Sequence, residues 1–168
     1  MLENNVIRLH VVAESNESKD QNIKLAVRDA LLEHLMVADF ADLEDKGQAK
    51  RYLENNTVEL ELLANDVLQS MGYDKRARVS FQNEYFDTRH YDTFSLPSGI
   101  YDSLRVTIGP GEGKNWWCVV FPGLCLPTSA EGFEETASCA GFSDSLTGTL
   151  EGEYEVRFWI LEVWGSVE

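Results

Sequence analysis

One stretch of the chain constrains it more than any other. Ala49, Tyr52, Leu53, Asn56, Leu60, Leu63, Ala64, Val67 and Met71 recur at steps of three and four and end at Gly72. That period predicts a helix with one apolar face, which needs a partner surface to cover it. Gly72 stands where a left-handed C-cap belongs. An earlier segment repeats the pattern. Ile23, Val27, Ala30, Leu31 and Ala38 keep helical spacing to about Asp39, and Leu25, Leu32, Leu35 and Met36 widen the stripe. Ser18 and Gln21 have the spacing of a capping box at its start. Asp39 to Gly47 reads as an acidic linker between the two helices.

The remaining patterned segments have period two. Val6–Val12 puts Ile7, Leu9 and Val11 on one face of a strand and Arg8 and His10 on the other. Ala77, Val79 and Phe81 alternate with Arg78, Ser80 and Gln82. Leu104, Val106 and Ile108 alternate with Arg105 and Thr107. Gly109–Asn115 then predicts a mobile, glycine-rich tip joining that strand to Trp116–Phe121 as a hairpin. Tyr154–Leu161 predicts a last strand, and residues 128–150, without a period, predict a mobile segment. The order strand, helix, helix, strands argues for an α+β fold. Two helices would cover one face of a mainly antiparallel sheet. With 168 residues the chain is one domain by length.

Charge narrows the function. The net charge is −15, which repels nucleic acid and anionic membrane surfaces. Residues 1–72 carry 14 acids and 7 bases, residues 73–127 carry 6 of each, and residues 128–168 carry 9 acids and 1 base. The neutral middle block is therefore the better candidate for a contact surface. Apolar runs such as Val119–Phe121 are too short to span a bilayer, and Met1–Asn5 does not open a secretory signal.

Two long blocks carry a resemblance: VIRLHVVAESNESKDQNIKLAVRDALLEHL at Val6–Leu35 and LPSGIYDSLRVTIGPGEGKNWWCVVFPGLC at Leu96–Cys125. Together they resemble the stage II sporulation protein R family over roughly Val6 to Pro127. The resemblance implies a secreted signal of endospore formers, made in the forespore and exported into the space between the septal membranes. There it would activate a membrane-embedded aspartic protease of the mother cell, which removes the pro-sequence of a sigma factor. It also implies that the chain itself is not the protease.

The residues able to carry chemistry leave several readings open. Cys118 and Cys125 are too far apart for a C-x-x-C redox motif. They are a disulfide candidate in an exported chain, with two buried thiols, or a bridge from Cys139 to either, as alternatives. His10, His34 and His90 share no short spacing, so no metal site or cofactor is expected. Arg8, His10, Asp20, Lys24, Arg28 and Asp29 form a dense polar set. Asp20 with Lys24 reads as a helix-surface pair, and Arg8 with Asp29 as a pin between first strand and first helix. The tip would project Glu112 and Lys114, and it lacks the Gly-Lys-Ser/Thr ending of a phosphate-binding loop. Adjacent Trp116 and Trp117 must face opposite ways on a strand. One serves the core, and the other, with Asn115 and the tip, is a candidate partner-binding surface. No nucleophile elbow, zinc-protease helix or Asp-Thr-Gly motif is present. The expectation is a non-enzymatic ligand. Its competitors are a cell-wall or peptide hydrolase using Glu112, His90 or the Arg8–Asp29 set, and a glycan-binding module built on a Trp.

Overall fold

The computed structural model describes residues 4–90 and 95–122. Strand β1 (Ile7–Val12) leads to helix α1 (Ser18–Val37), a 3-10 turn at Asp39–Asp42, and helices α2 (Lys46–Asn55) and α3 (Thr57–Ser70). Strands β2 (Ala77–Phe86), β3 (Arg89–His90), β4 (Ser95–Leu96), β5 (Gly99–Ile108) and β6 (Asn115–Phe121) follow. The α+β class is as expected. The segment 128–150 and the strand expected at Tyr154–Leu161 lie outside the described residues.

The four-stranded sheet runs β2-β5-β1-β6, and β3 and β4 pair separately. β1 is parallel to β5 and antiparallel to β6, and β2 is antiparallel to β5. The hairpin expected between β5 and β6 is therefore not formed, because β1 lies between them. All six residues of β1 are buried, and a strand buried on both faces belongs in the interior of a sheet. The loop from Gly109 must then cross two strand spacings, about 10 Å.

That loop is pinned rather than free. Glu112 N–H donates to Glu14 O at 3.2 Å and Gly113 N–H to Ala13 O at 2.9 Å. Lys114 N–H donates to the Asn16 side chain at 2.8 Å. Gly113 has to be glycine, since a Cβ there would lie 2.3 Å from Ser15 O.

The second expected helix is two. Its stripe continues through Leu53 and Leu60, both fully buried, but the chain turns at Asn56. The Asn56 amide donates to Tyr52 O at 2.7 Å, offering a local alternative to the helical ladder. Gly72 does adopt left-handed backbone, φ 66°. Its N–H reaches Gln69 O and the Tyr73 N–H reaches Leu68 O, closing α3 in a Schellman motif. At the start of α1 the work falls to Ser15 rather than to the Ser18–Gln21 box. Its hydroxyl accepts from Glu17 N–H and donates to Asp20, while Gln21 donates to its carbonyl.

Two apolar clusters sandwich the sheet. Ile7, Leu9, Val11, Leu104, Val106 and Ile108 face the helices and join Val27, Leu31, Leu53, Leu60 and Ala64. On the opposite face Val6, Phe86, Leu96, Tyr101 and Val119 form a smaller cluster, with Trp117 packed against it. Among the described residues its cover comes from the far end of β2 and from the β3–β4 pair, not from helices.

Candidate functional site

Alternation along four strands builds the helix-free face. Pairing sets Arg8 beside Ser103 and Val119, and His10 beside Arg105 and Trp117. Besides the aliphatic Val6, Leu96 and Val119, this face carries polar and aromatic side chains that engage one another. His10 Nε2 lies 2.8 Å from Asn115 Oδ1, and its Nδ1 lies 3.3 Å from the Glu84 carboxylate. Arg105 donates to the same carboxylate at 2.6 Å. Burial alone would raise the Glu84 carboxyl. Hydrogen bonds from His10 and Arg105, with the Ser103 hydroxyl nearby, overcome it and hold the group at about 2.

Arginines lie flat on rings here. The fully buried Arg8 guanidinium sits 4.0 Å over Phe86 and 5.2 Å from Tyr101. Arg89, carried by β3, lies 3.8 Å over Trp117, whose ring also stacks on His10 at 5.7 Å. The rings offset part of the cost of desolvating the cations.

The two tryptophans do face opposite ways. Trp116 is 4% exposed, faces the helices and lies under Arg28 at 4.2 Å. Trp117 is half-buried on the helix-free face. Of the residues expected to meet a partner, Trp117 and Asn115 share that face, and exposed Glu112 and Lys114 stand on the pinned loop at its end. Trp116 belongs to the core.

The expected polar pairings are rearranged. Arg8 and Asp29 are separated by the sheet, because Arg8 points away from the helices. Asp29 instead takes Arg28 at 2.7 Å, and burial, opposed by Arg28, pushes its carboxyl up. Asp20 does not pair with Lys24. It accepts from Ser15 and from the Tyr73 hydroxyl at 2.8 Å, bonds that lower its carboxyl. The Lys24 ammonium donates to Gln21 at 2.7 Å and reaches Lys114 O at 3.5 Å. Burial, and the Glu14 and Asp20 carboxylates that accept from its hydroxyl, push the Tyr73 phenol up.

The three histidines are dispersed: His34 faces Glu59 at 3.6 Å and His90 bonds Ser95 at 2.7 Å. Among the described residues no three His, Cys, Asp or Glu side chains gather to hold a metal. Nor is any helix there long and apolar enough to cross a membrane. Cys118 is fully buried. Its proposed partner Cys125, and Cys139, lie outside the described residues.

At the opposite rim of the sheet a cavity of about 590 Å³ opens between Asn4, Lys46, Lys50, Asp102 and Pro122. Three of its charged side chains engage one another, since Asp102 accepts from Lys46 at 2.9 Å and Lys50 at 3.0 Å, and also from Asn83 at 2.9 Å.

Glu84, Arg89 and Arg105 were not singled out by the sequence as a group. A signal existed for Glu84: Arg78, Ser80, Gln82, Glu84 and Phe86 keep period two to the end of β2. Nothing local connects Arg89 to Trp117.

The description of stage II sporulation protein R matches residues 3–131. Stage II sporulation protein R of Bacillus subtilis (strain 168) is 33% identical over 122 residues, 71% of this chain and 53% of that protein. The chain thus spans about half the length of that curated relative. No solved structure matches. The match takes in every described strand and helix, and the chain belongs to the stage II sporulation protein R family.

Proposed function

We propose that this chain is a secreted sporulation signal that works by docking, not by catalysis. It passes from the forespore into the intermembrane space and binds the outer surface of a membrane-embedded aspartic protease in the mother-cell membrane. Binding favours the active protease, which then processes the pro-sigma factor. Family membership across residues 3–131 carries this reading. A ligand of this kind needs about 5.5 kcal/mol of differential affinity to move a 1:99 equilibrium to 99:1, which a compact interface centred on an aromatic anchor supplies.

The chemistry of the helix-free face supports a binding role. Glu84 is held as an anion by Arg105 and His10, which suits a positioning network rather than a general base working near neutrality. Glu112 and the Asp20–Asp29 stretch of α1 belong to different sites from Arg8 and His10, so the hydrolase reading gains no convergent pair. The Trp117 ring is already occupied by His10 and Arg89, so a sugar would have to displace one of them to stack there.

The test is cleavage of the sigma-factor precursor in reconstituted membranes containing the protease. Cleavage is expected only when this protein is added, and the protein alone should leave the precursor intact. Cleavage by the protein alone, or protease activity indifferent to it, would refute the reading.

A further inference from the structure

Charge on this molecule is sorted by layer. Residues 18–70, which form the helical layer, carry 11 acids and 6 bases. Across the sheet, alternation places Arg8, His10, Arg78 and Arg105 on the helix-free face against the single acid Glu84, and β3 adds Arg89. Among the described residues this face is thus basic and aromatic, in a chain of net charge −15.

Most of these cations are committed. Arg8 is fully buried, His10 is 9% exposed, and Arg105 is bonded to Glu84. Arg89 is different. It makes no hydrogen bond or ion pair among the described residues, its Nε–H is buried without an acceptor, and its sole contact of note is the Trp117 ring. Asp87, two positions away, does not meet it. Stacking fixes the plane of the guanidinium, and with Nε buried it is the two terminal nitrogens that are left to take a planar carboxylate two-pronged.

We infer that Arg89 stacked on Trp117 is a docking site for a carboxylate side chain on an acidic segment of the partner protein. Charge complementarity selects that occupant. A membrane would need many outward cations. This face offers Arg78 and Arg89, with Arg105 half-buried, against the repulsion of the rest of the chain. One or two carboxylates on a peptide match that supply.

The inference rests on the proposed function only for the identity of the partner, so two assays separate them. In the first, hexaglutamate is titrated into the full chain while the indole N–H resonance of Trp117, the ring under Arg89, is followed. A saturable shift is expected, weakened about tenfold or more in Arg89→Gln and absent in Arg89→Glu. Arg89→Lys keeps the charge without the planar fork and should recover only part of the affinity. No shift overturns the site, as does an equal response to inorganic phosphate or to anionic phosphatidylglycerol vesicles. Binding seen only after truncation at Pro127 also overturns it, because the face would then serve the chain's own acidic tail. In the second assay, Arg89→Glu replaces the wild type in the reconstituted protease reaction. Activation by wild type and not by the variant supports the site. Equal activation by both overturns it while leaving the proposed function standing.

Discussion

The two faces of the central sheet bury the same strand by opposite means. Ile7, Leu9 and Val11 of β1 are fully buried under the helices among Leu, Val and Ile side chains. Arg8 and His10, from the alternating positions, are buried as deeply by rings and a carboxylate. The apolar side is non-directional and tolerant, so it serves to hold the fold. The polar side depends on particular donors meeting particular acceptors, so it fixes geometry and presents charge. Stability and recognition are thereby divided between the faces of a single strand.

Breaking the apolar side should have the largest effect. Leu9→Ala removes a fully buried side chain between β5 and β6 and is expected to cost about 2–5 kcal/mol. Urea denaturation would read this as a fall in midpoint with little change in slope. A cost under about 1 kcal/mol would mean that the helices do not bear on β1 as described. Gly113→Ala tests the loop where the two faces meet. Its methyl would strike Ser15 O, and the strain should cost about 1–3 kcal/mol. Thermal denaturation would show it, and a neutral result would mean that the loop is not pinned to residues 13–16.

The polar side should respond to acid. The Glu84 carboxyl titrates at about 2 when folded, against 4.5 for the free group. A lowered value means that its stabilisation is complete above pH 4.5 and is lost as pH falls toward 2. Full linkage would allow about 3 kcal/mol, and solvent at this face reduces that to about 1–2 kcal/mol. Glu84→Gln should therefore be less stable than wild type at pH 7, with the gap closing below pH 4. Parallel stability curves for the two proteins across that range would show that Glu84 is not an anchored anion.

How much of this was legible in the sequence follows from the range of each interaction. The Ala49–Met71 stripe, the Gly72 cap and the period-two strands between Val6 and Phe121 are local, and each is found in place. The split at Asn56 turns on one side-chain amide competing with the helical ladder, which a hydrophobic stripe does not encode. The insertion of β1 between β5 and β6 is a pairing of segments about 100 residues apart. The apolar character of Val11 and Val12 hinted at burial on both faces, but no residue names a neighbour. The same distance hid the site. Trp117 could be expected to need a second cover, whereas its partner Arg89 arrives on a two-residue strand. Asp29 looked available to Arg8 until the sheet put the two on opposite sides.

The smallest expected effect compares two carboxylates. Glu84 and Asp102 are both largely buried side chains, 9% and 11% exposed; Glu84 is bonded to Arg105 and His10, and Asp102 to Lys46 and Lys50. Burial tends to raise Asp102, and Lys46 and Lys50 bring it below the ordinary range. The partners differ, however. Arg105 is a planar fork held on the adjoining strand, whereas Lys50 reaches Asp102 from α2 on a flexible stem 39% exposed to solvent. Holding such a stem in place costs rotamer entropy, and an exposed ion pair is screened by salt. Lys50→Ala should consequently cost no more than about 0.5 kcal/mol, and the difference should vanish between low salt and about 0.5 M salt. Denaturation curves at the two ionic strengths would measure it. A loss larger than that of Glu84→Gln, or one unmoved by salt, would place the critical charge network at the Lys46–Lys50 rim rather than on the helix-free face.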